Sequence, residues 1–133
     1  ADVLRDRCSL QDAVQQVGNT NTYVLPAGRT KVNPHHLVQE EVIQKLLDEL
    51  KEKFETIIID TPPVLGASEA LVFAKAADRV LYCSLRNVSR TSQIRIAVDR
   101  LEQAGAQIAG TVLGGTPVNH YSYVYGDYTN ETD

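Results

Sequence analysis

The run from Glu55 to Pro63, Glu-Thr-Ile-Ile-Ile-Asp-Thr-Pro-Pro, constrains the fold more than any other part of this chain. Three consecutive isoleucines, Ile57 to Ile59, have no polar alternation, which predicts a parallel-sheet strand buried on both faces. The two prolines after it prevent further ladder pairing. Asp60 therefore ends the strand, at the edge where open α/β sheets bind their ligands. In phosphate-transfer proteins an acid in this position holds Mg²⁺.

A glycine-rich phosphate loop normally accompanies such an acid, and the sequence shows none. That loop needs the pattern G-x-x-x-x-G-K-[ST], in which backbone N–H groups and a lysine surround the phosphates. Gly105 and Gly110 have the right spacing, but Thr111 stands where the lysine belongs. The chain starts at Ala1 and contains no methionine. The sequence thus leaves open that a phosphate loop is encoded before Ala1.

Composition narrows the class of protein. A length of 133 residues predicts one domain with a real core, and 43% hydrophobic with 23% charged residues is typical of a soluble globular protein. The net charge of −4 argues against a nucleic-acid-binding surface. No apolar stretch approaches the ~18 residues that a membrane-spanning helix needs. Cys8 and Cys83 form no C-x-x-C motif. Cys83 lies in an apolar run, which predicts a buried thiol. Both cysteines fit a reducing cytoplasm.

Helix and strand signals alternate along the chain, which indicates a parallel sheet with right-handed crossovers. Ser9 is predicted to cap a short N-terminal helix, with Asp12 at the reciprocal position. The other predicted elements are a strand at 22–25, a long helix opened by Asn33-Pro34, a helix at 68–77, a strand at 79–85, a helix capped by Ser89 and stopped by Gly105, and a strand at 108–113. We predict a domain over 1–115.

The segment 116–133 is predicted to be an exposed tail, because it has few aliphatic residues. Four of the six tyrosines lie in it: Tyr121, Tyr123, Tyr125 and Tyr128. Their partly alternate spacing would also suit an edge strand, although Gly126 and Asp127 argue against one.

Taken in order, these segments resemble the bacterial tyrosine autokinases of capsule and exopolysaccharide synthesis. Tyr23-Val-Leu-Pro-Ala-Gly-Arg29 with Asn33-Pro34 is similar to the family's segment before its long helix. Ile57-Ile-Ile-Asp-Thr-Pro-Pro-Val64 is similar to its second acidic motif. Ala77-Asp-Arg-Val-Leu81 and Gly110-Thr-Val-Leu113 fall at the expected places before the tyrosine-rich tail.

The resemblance implies a three-layer Rossmann-like parallel sheet of the P-loop NTPase type, here without its phosphate-loop strand, which in the family lies beside the Asp60 strand. Asp60, with Thr61 and Pro62, would bind Mg-ATP, Asp60 being the metal ligand and catalytic acid. Tyr121, Tyr123, Tyr125 and Tyr128 would accept phosphate at a neighbouring subunit. The protein would form a ring-shaped homo-oligomer at the cytoplasmic face of the inner membrane, with a membrane-anchored polysaccharide co-polymerase or adaptor segment as partner and no nucleic acid.

Three alternatives accompany this interpretation. A lone carboxylate repels a triphosphate unless Mg²⁺ intervenes, so we expect this polypeptide alone neither to bind ATP tightly nor to transfer phosphate. It could then be a non-catalytic assembly module or phosphorylation target of the same fold. A relative of the ATPases that position division or partition machinery is another candidate. A flavodoxin-like phosphoreceiver domain is excluded, because 23–28 lacks the acidic pair that such a domain needs after its first strand.

Overall fold

A computed structural model of the protein describes residues 1–28 and 36–116. A 3₁₀ turn at Val3–Arg5 precedes helix α1 (Leu10–Ala13), and strands β1 (Gln15–Gln16) and β2 (Tyr23–Val24) follow. The remaining elements are helix α2 (Glu40–Lys51), helix α3 (Glu69–Ala76), strand β3 (Val80–Leu85), helix α4 (Thr91–Gln103) and strand β4 (Ile108–Gly114). Within the described residues, no helix is both long and apolar enough to cross a bilayer.

Strands β3 and β4 pair in parallel, and this confirms the predicted α/β fold with a parallel sheet. The pairing aligns Leu81 with Gly110 and Leu85 with Gly114. At one end the Val80 N–H donates to the Gln107 carbonyl (2.9 Å), and at the other the Arg86 N–H donates to the Gly114 carbonyl (3.0 Å). Helix α4 connects the two strands, and such a crossover is almost always right-handed, with the helix on one face of the sheet.

Helices α2, α3 and α4 form one layer, since α3 contacts both of the others. The apolar stripe of α2 contributes Ile43, Leu47 and Leu50 to a core cluster completed by Leu10 of α1. Salt bridges Lys51–Asp78 and Lys75–Glu40 join α2 to α3 and its C-terminal flank. Both pairs are exposed, so the apolar stripe rather than the ion pairs holds this layer together.

Two predicted helix ends are confirmed. Ser9 caps α1: its Oγ accepts from the Asp12 N–H at 3.1 Å and its hydroxyl donates to Asp12 Oδ2 at 2.6 Å. Gly105 stops α4 in the left-handed region, at φ 83°. Its N–H donates to Glu102 and the Ala106 N–H donates to Leu101, which is the paired hydrogen-bond pattern of a Schellman motif.

The strand predicted around Ile57 is the main difference from expectation. Residues 56–60 carry no regular secondary structure, and no described strand pairs with them. Ile57 and Ile59 pack against the core cluster, whereas Ile58 is 91% exposed. The prediction of burial on both faces is therefore wrong for the described chain, because one side of this segment has helices against it and the other has no described element.

Four local predictions also need correction. The strand predicted at 22–25 is β2, which pairs antiparallel with β1 and not with the parallel sheet. The described helix α2 begins at Glu40 after an extended Gln39, and the proposed start at Asn33-Pro34 lies outside the described residues. Arg90, not Ser89, is the N-cap residue of α4, because the Ser89 hydroxyl accepts from the Leu85 N–H instead. Cys83 is exposed, since β3 alternates between half-buried and exposed side chains.

Candidate functional site

Asp60 follows directly after a segment anchored in the core. Burial along 57–60 alternates residue by residue, which is the period of extended chain. Ile57 and Ile59 face the cluster formed by α1 and α2, together with partly buried side chains of α3. Asp60, two residues after Ile58, lies on the same side of the extended segment and is likewise exposed. Its backbone is thus held by packing on one side while its carboxylate meets solvent on the other.

The sequence after Asp60 keeps the chain extended and then turns it into α3. Proline disfavours the helical region for the residue before it, which restricts Thr61, and both Pro62 and Pro63 lack a backbone N–H. The Pro63 carbonyl accepts from the Gly66 N–H at 2.8 Å and from the Ala67 N–H at 3.1 Å. This turn leads into α3 at Glu69. Asp60 thus lies in extended chain, before this turn and before α3 begins at Glu69.

The carboxyl ends of β3 and β4 form one edge of the parallel sheet. Gly114 is aligned with Leu85, and the loop that follows Leu85 is fixed by hydrogen bonds from the Val88 and Ser89 N–H groups to the Leu85 carbonyl. Asn87 adopts a left-handed conformation in this loop, at φ 63°. Arg86 and Arg90 are exposed on the same loop. The loop is ordered by its own backbone, so its arginines stay available to solvent.

The donor set suits a hard cation held by few protein ligands. Oxygen ligands are those that Mg²⁺ prefers, and it commonly binds through one or two carboxylates plus phosphate oxygens and water. In the part of the chain that the structure describes, no cluster of three or more His, Cys, Asp or Glu side chains could form a metal cage. Asp60 offers one exposed carboxylate, which suffices for Mg²⁺ only where phosphate oxygens and water supply the remaining ligands.

Two surface concavities lie away from Asp60. One, of about 810 Å³, is lined only by side chains of α2 and Glu52, and the other, of about 450 Å³, lies between the N-terminal segment and α2. The first is a shallow depression over one solvated helix face and not a cleft between elements. Neither includes Thr61 or Pro62, so neither bears on the predicted magnesium site.

The other predicted site residues divide into two groups. Thr61 and Pro62 are exposed beside Asp60, as their sequence adjacency requires. Tyr121, Tyr123, Tyr125 and Tyr128 lie outside the described residues, so their role as phosphate acceptors stays a prediction. Sequence patterns did not predict that Glu69, in the first turn of α3, is only 8% exposed. The one sequence feature that could have indicated its burial is its position at a helix N-terminus, where negative charge is favoured.

Comparison with known families gives a match over most of the chain. The family model described as "AAA domain" matches residues 1–103. The tyrosine-protein kinase CpsD of Streptococcus agalactiae is 29% identical over 127 residues, which are 96% of this chain and 55% of CpsD. The tyrosine-protein kinase etk of Escherichia coli K12 is 28% identical over 115 residues, covering 86% of this chain and 16% of etk.

Solved kinase domains share the fold. The VpsO kinase domain superposes with a TM-score of 0.80 at 31% identity, over 87% of this chain and 57% of that one. The kinase domain of the Escherichia coli tyrosine kinase ETK superposes with a TM-score of 0.81 at 27% identity, over 86% of this chain and 45% of that one. The chain thus spans about half the length of CpsD and of these kinase domains. The resemblance to bacterial tyrosine kinases is confirmed.

Proposed function

Because this chain belongs to the AAA domain family and is related to bacterial tyrosine-protein kinases, we propose that it is part of an ATP-dependent protein-tyrosine autokinase. One observation carries the proposal. The Asp60 carboxylate is exposed directly after a core-anchored extended segment and before the turn into α3, in a fold that matches kinase domains with TM-scores of 0.80 and 0.81.

Asp60 would act as the acid that holds magnesium. Bound Mg²⁺ neutralises charge on the phosphates that the enzyme transfers. The contribution of this chain is to hold the backbone that carries the carboxylate: Ile57 and Ile59 anchor it, and the two prolines keep it extended beyond Asp60. A backbone held in place limits how far the metal ligand must move during the reaction, and groups positioned in advance contribute strongly to electrostatic catalysis.

The tyrosines of the tail would receive the phosphate. Tyr121, Tyr123, Tyr125 and Tyr128 follow β4, whose carboxyl end lies at the ligand-binding edge of a parallel sheet. Transfer between subunits of a homo-oligomer would bring a tail to a neighbouring site. We place this activity at the inner face of the bacterial membrane, beside a membrane-anchored polysaccharide co-polymerase, in the control of capsule or exopolysaccharide synthesis.

The chain by itself should be inactive. It offers one carboxylate and no phosphate loop in its sequence, and a carboxylate alone repels a triphosphate. Isothermal titration of the chain with Mg-ATP should give no heat of binding at micromolar concentrations. Micromolar affinity for Mg-ATP would show that groups of this chain other than the Asp60 carboxylate also bind the nucleotide.

Activity can be tested in a hybrid chain, in which this chain takes the place of the segment of CpsD that it matches. We expect Mg-ATP-dependent phosphate on the tail tyrosines of the hybrid, mapped by mass spectrometry. A variant with Tyr121, Tyr123, Tyr125 and Tyr128 changed to Phe should lose most of the incorporated phosphate, while Tyr23 and Tyr82 serve as internal controls. Phosphate on Tyr23 or Tyr82 alone would contradict the assignment of the tail.

The same assay distinguishes a part of a kinase from a non-catalytic phosphorylation target of the same fold. The wild-type chain is incubated with the kinase domain of Escherichia coli ETK and Mg-ATP, without the CpsD part. Phosphate that reaches the tail only from ETK, with none in the hybrid alone, would identify the chain as a phosphorylation target and not as part of a kinase.

A further inference from the structure

The loop between β3 and α4 carries a local excess of positive charge. Residues 80–98 contain three arginines, Arg86, Arg90 and Arg95, and no aspartate or glutamate, in a chain whose net charge is −4. Arg86 and Arg90 lie in the loop itself, and both are exposed. These two side chains are called the arginine pair below. An exposed basic site in an otherwise acidic protein attracts an anionic ligand.

The fold of the loop does not use the arginine pair. In the part of the chain that the structure describes, neither guanidinium group takes part in a salt bridge. Arg90 is the N-cap residue of α4, yet its side chain makes no capping hydrogen bond. The loop is held instead by the Val88 and Ser89 N–H groups, which donate to the Leu85 carbonyl, and by the Ser89 hydroxyl, which accepts from the Leu85 N–H. The arginine pair is therefore presented to solvent on a backbone that other groups fix.

Strand β4 ends beside the arginine pair. The Arg86 N–H donates to the Gly114 carbonyl at 3.0 Å. Gly115 follows in the left-handed region, at φ 72°. A Cβ added to Gly115 would lie 3.0 Å from Leu85 Cδ1 and 3.9 Å from the Arg86 nitrogen. The backbone at 114–115 thus turns in contact with the end of β3, and the residues that follow start next to the loop that carries the arginine pair.

The segment 117–133, which lies outside the described residues, has the opposite charge. It contains Asp127, Glu131 and Asp133, and no lysine or arginine. It also contains the four tyrosines proposed above as phosphate acceptors. A phosphate on tyrosine adds about −1.5 to −2 charges and three acceptor oxygens. Guanidinium groups bind phosphate oxygens through two parallel N–H···O bonds, so phosphotyrosine is the ligand chemistry that suits the arginine pair.

Tyr121 is the first of these acceptors after β4. It stands six residues after Gly115. An extended chain covers at most about 3.5 Å per residue, so this stretch spans up to about 20 Å. Since Gly115 already lies against the end of β3, that length allows the Tyr121 phosphate to come back over the loop. A ligand on a short segment of the same chain acts at a high effective concentration, which favours binding without a large contact area.

We propose that the arginine pair is a phosphotyrosine-binding site for the segment 117–133 of the same chain, with the phosphate on Tyr121 as its ligand. The inference rests on the proposed function only for the source of that phosphate. Before phosphorylation the carboxylates of the segment bind the pair weakly, because exposed ion pairs contribute little. Phosphorylation adds charge-assisted hydrogen bonds, and these hold the modified segment against its own domain and away from a neighbouring subunit.

The test installs the phosphate during translation, so it needs no kinase activity. Phosphotyrosine is incorporated at position 121 of the full chain, and its removal by a tyrosine phosphatase is timed. At an ionic strength of about 0.01 M we expect removal to be about fivefold slower than from a chain that also carries Arg86→Gln and Arg90→Gln. At about 1 M, where charges are screened beyond about 3 Å, the difference should largely vanish. Dilution should leave the protection unchanged, because site and ligand belong to one chain.

A matched variant tests the location. Arg100→Gln removes the same charge from an exposed side chain in the last turn of α4, about 15 Å along the helix from Arg90. It should retain the full protection of the phosphate. The glutamine variants at Arg86 and Arg90 change exposed side chains only, so their circular dichroism spectra and melting temperatures should match those of the unaltered chain.

Three results would overturn the proposal. Equal removal rates with and without the arginine pair would show that the pair does not bind the phosphate. An equal loss of protection in Arg100→Gln would reduce the effect to general charge attraction. Protection that falls on dilution would identify a second copy as the binding partner. Protection in this test with no phosphate transfer by the hybrid would refute the kinase proposal alone, and transfer without protection would refute the binding site alone.

Discussion

Ile59 packs against the hydrophobic cluster, and Asp60, the next residue, is exposed to solvent. This opposition follows from the two-residue period of extended chain. The packing that stabilises the domain therefore also holds the backbone next to its candidate metal ligand. A substitution at Ile59 acts on the core, whereas one at Asp60 acts on the chemistry.

Ile59→Ala should destabilise the chain by about 1–2 kcal/mol, because it removes partly buried methyl groups from the cluster. Ile58→Ala is the matched control: the same atoms are removed from a side chain that is 91% exposed, and the change should stay within about 0.5 kcal/mol. Urea denaturation followed by circular dichroism measures both. Equal losses would mean that the segment does not alternate as described.

Gly105→Ala should cost about 1 kcal/mol of stability, since alanine resists the left-handed conformation at φ 83° that ends α4. The control is Gly110→Ala, where no atom lies within 4 Å of the added Cβ either, but φ is not in the left-handed range. Thermal unfolding should separate the two variants. A harmless Gly105→Ala would contradict the Schellman geometry.

Ser89→Ala should destabilise the loop between β3 and α4 by about 1 kcal/mol, because the Leu85 N–H loses the hydroxyl that accepts its hydrogen bond at 3.0 Å. Hydrogen exchange of the Leu85 amide should accelerate in this variant. Ser92→Ala, at an exposed position in the first turn of α4, is the comparison and should leave that amide unchanged. Unaltered exchange in Ser89→Ala would show that the backbone bonds of the loop suffice.

Local signals predicted the helix ends well where one residue decides them. Ser9 and Gly105 act on backbone groups within a few residues, so their roles can be inferred from the chain alone. Ser89 shows the limit of this inference. Its hydroxyl accepts from the Leu85 N–H, four residues before it in the loop after β3, and not from the first turn of α4.

Burial could not be predicted in the same way. The isoleucines at 57–59 indicate a strand fit for burial on both sides, but exposure depends on which other elements are present. Ile58 and Cys83 are apolar residues of apolar runs and are nevertheless exposed, because the described helices cover one face only. Asp60 lies on the same side of the segment as Ile58 and is exposed for the same reason, and the prolines predicted only that regular strand pairing stops after it.

The most direct test of the account is the Mg²⁺ dependence of nucleotide binding and phosphate transfer by the hybrid of the CpsD part with this chain. Asp60→Asn should lower the Mg-ATP-dependent rate by about a hundredfold, since an amide no longer supplies the negative oxygen that holds the metal. Asp99→Asn, an exposed carboxylate on α4, should leave the rate unchanged. An Asp60→Asn hybrid that phosphorylates its tail at the rate of the Asp99→Asn hybrid would contradict the assignment of Asp60 to magnesium.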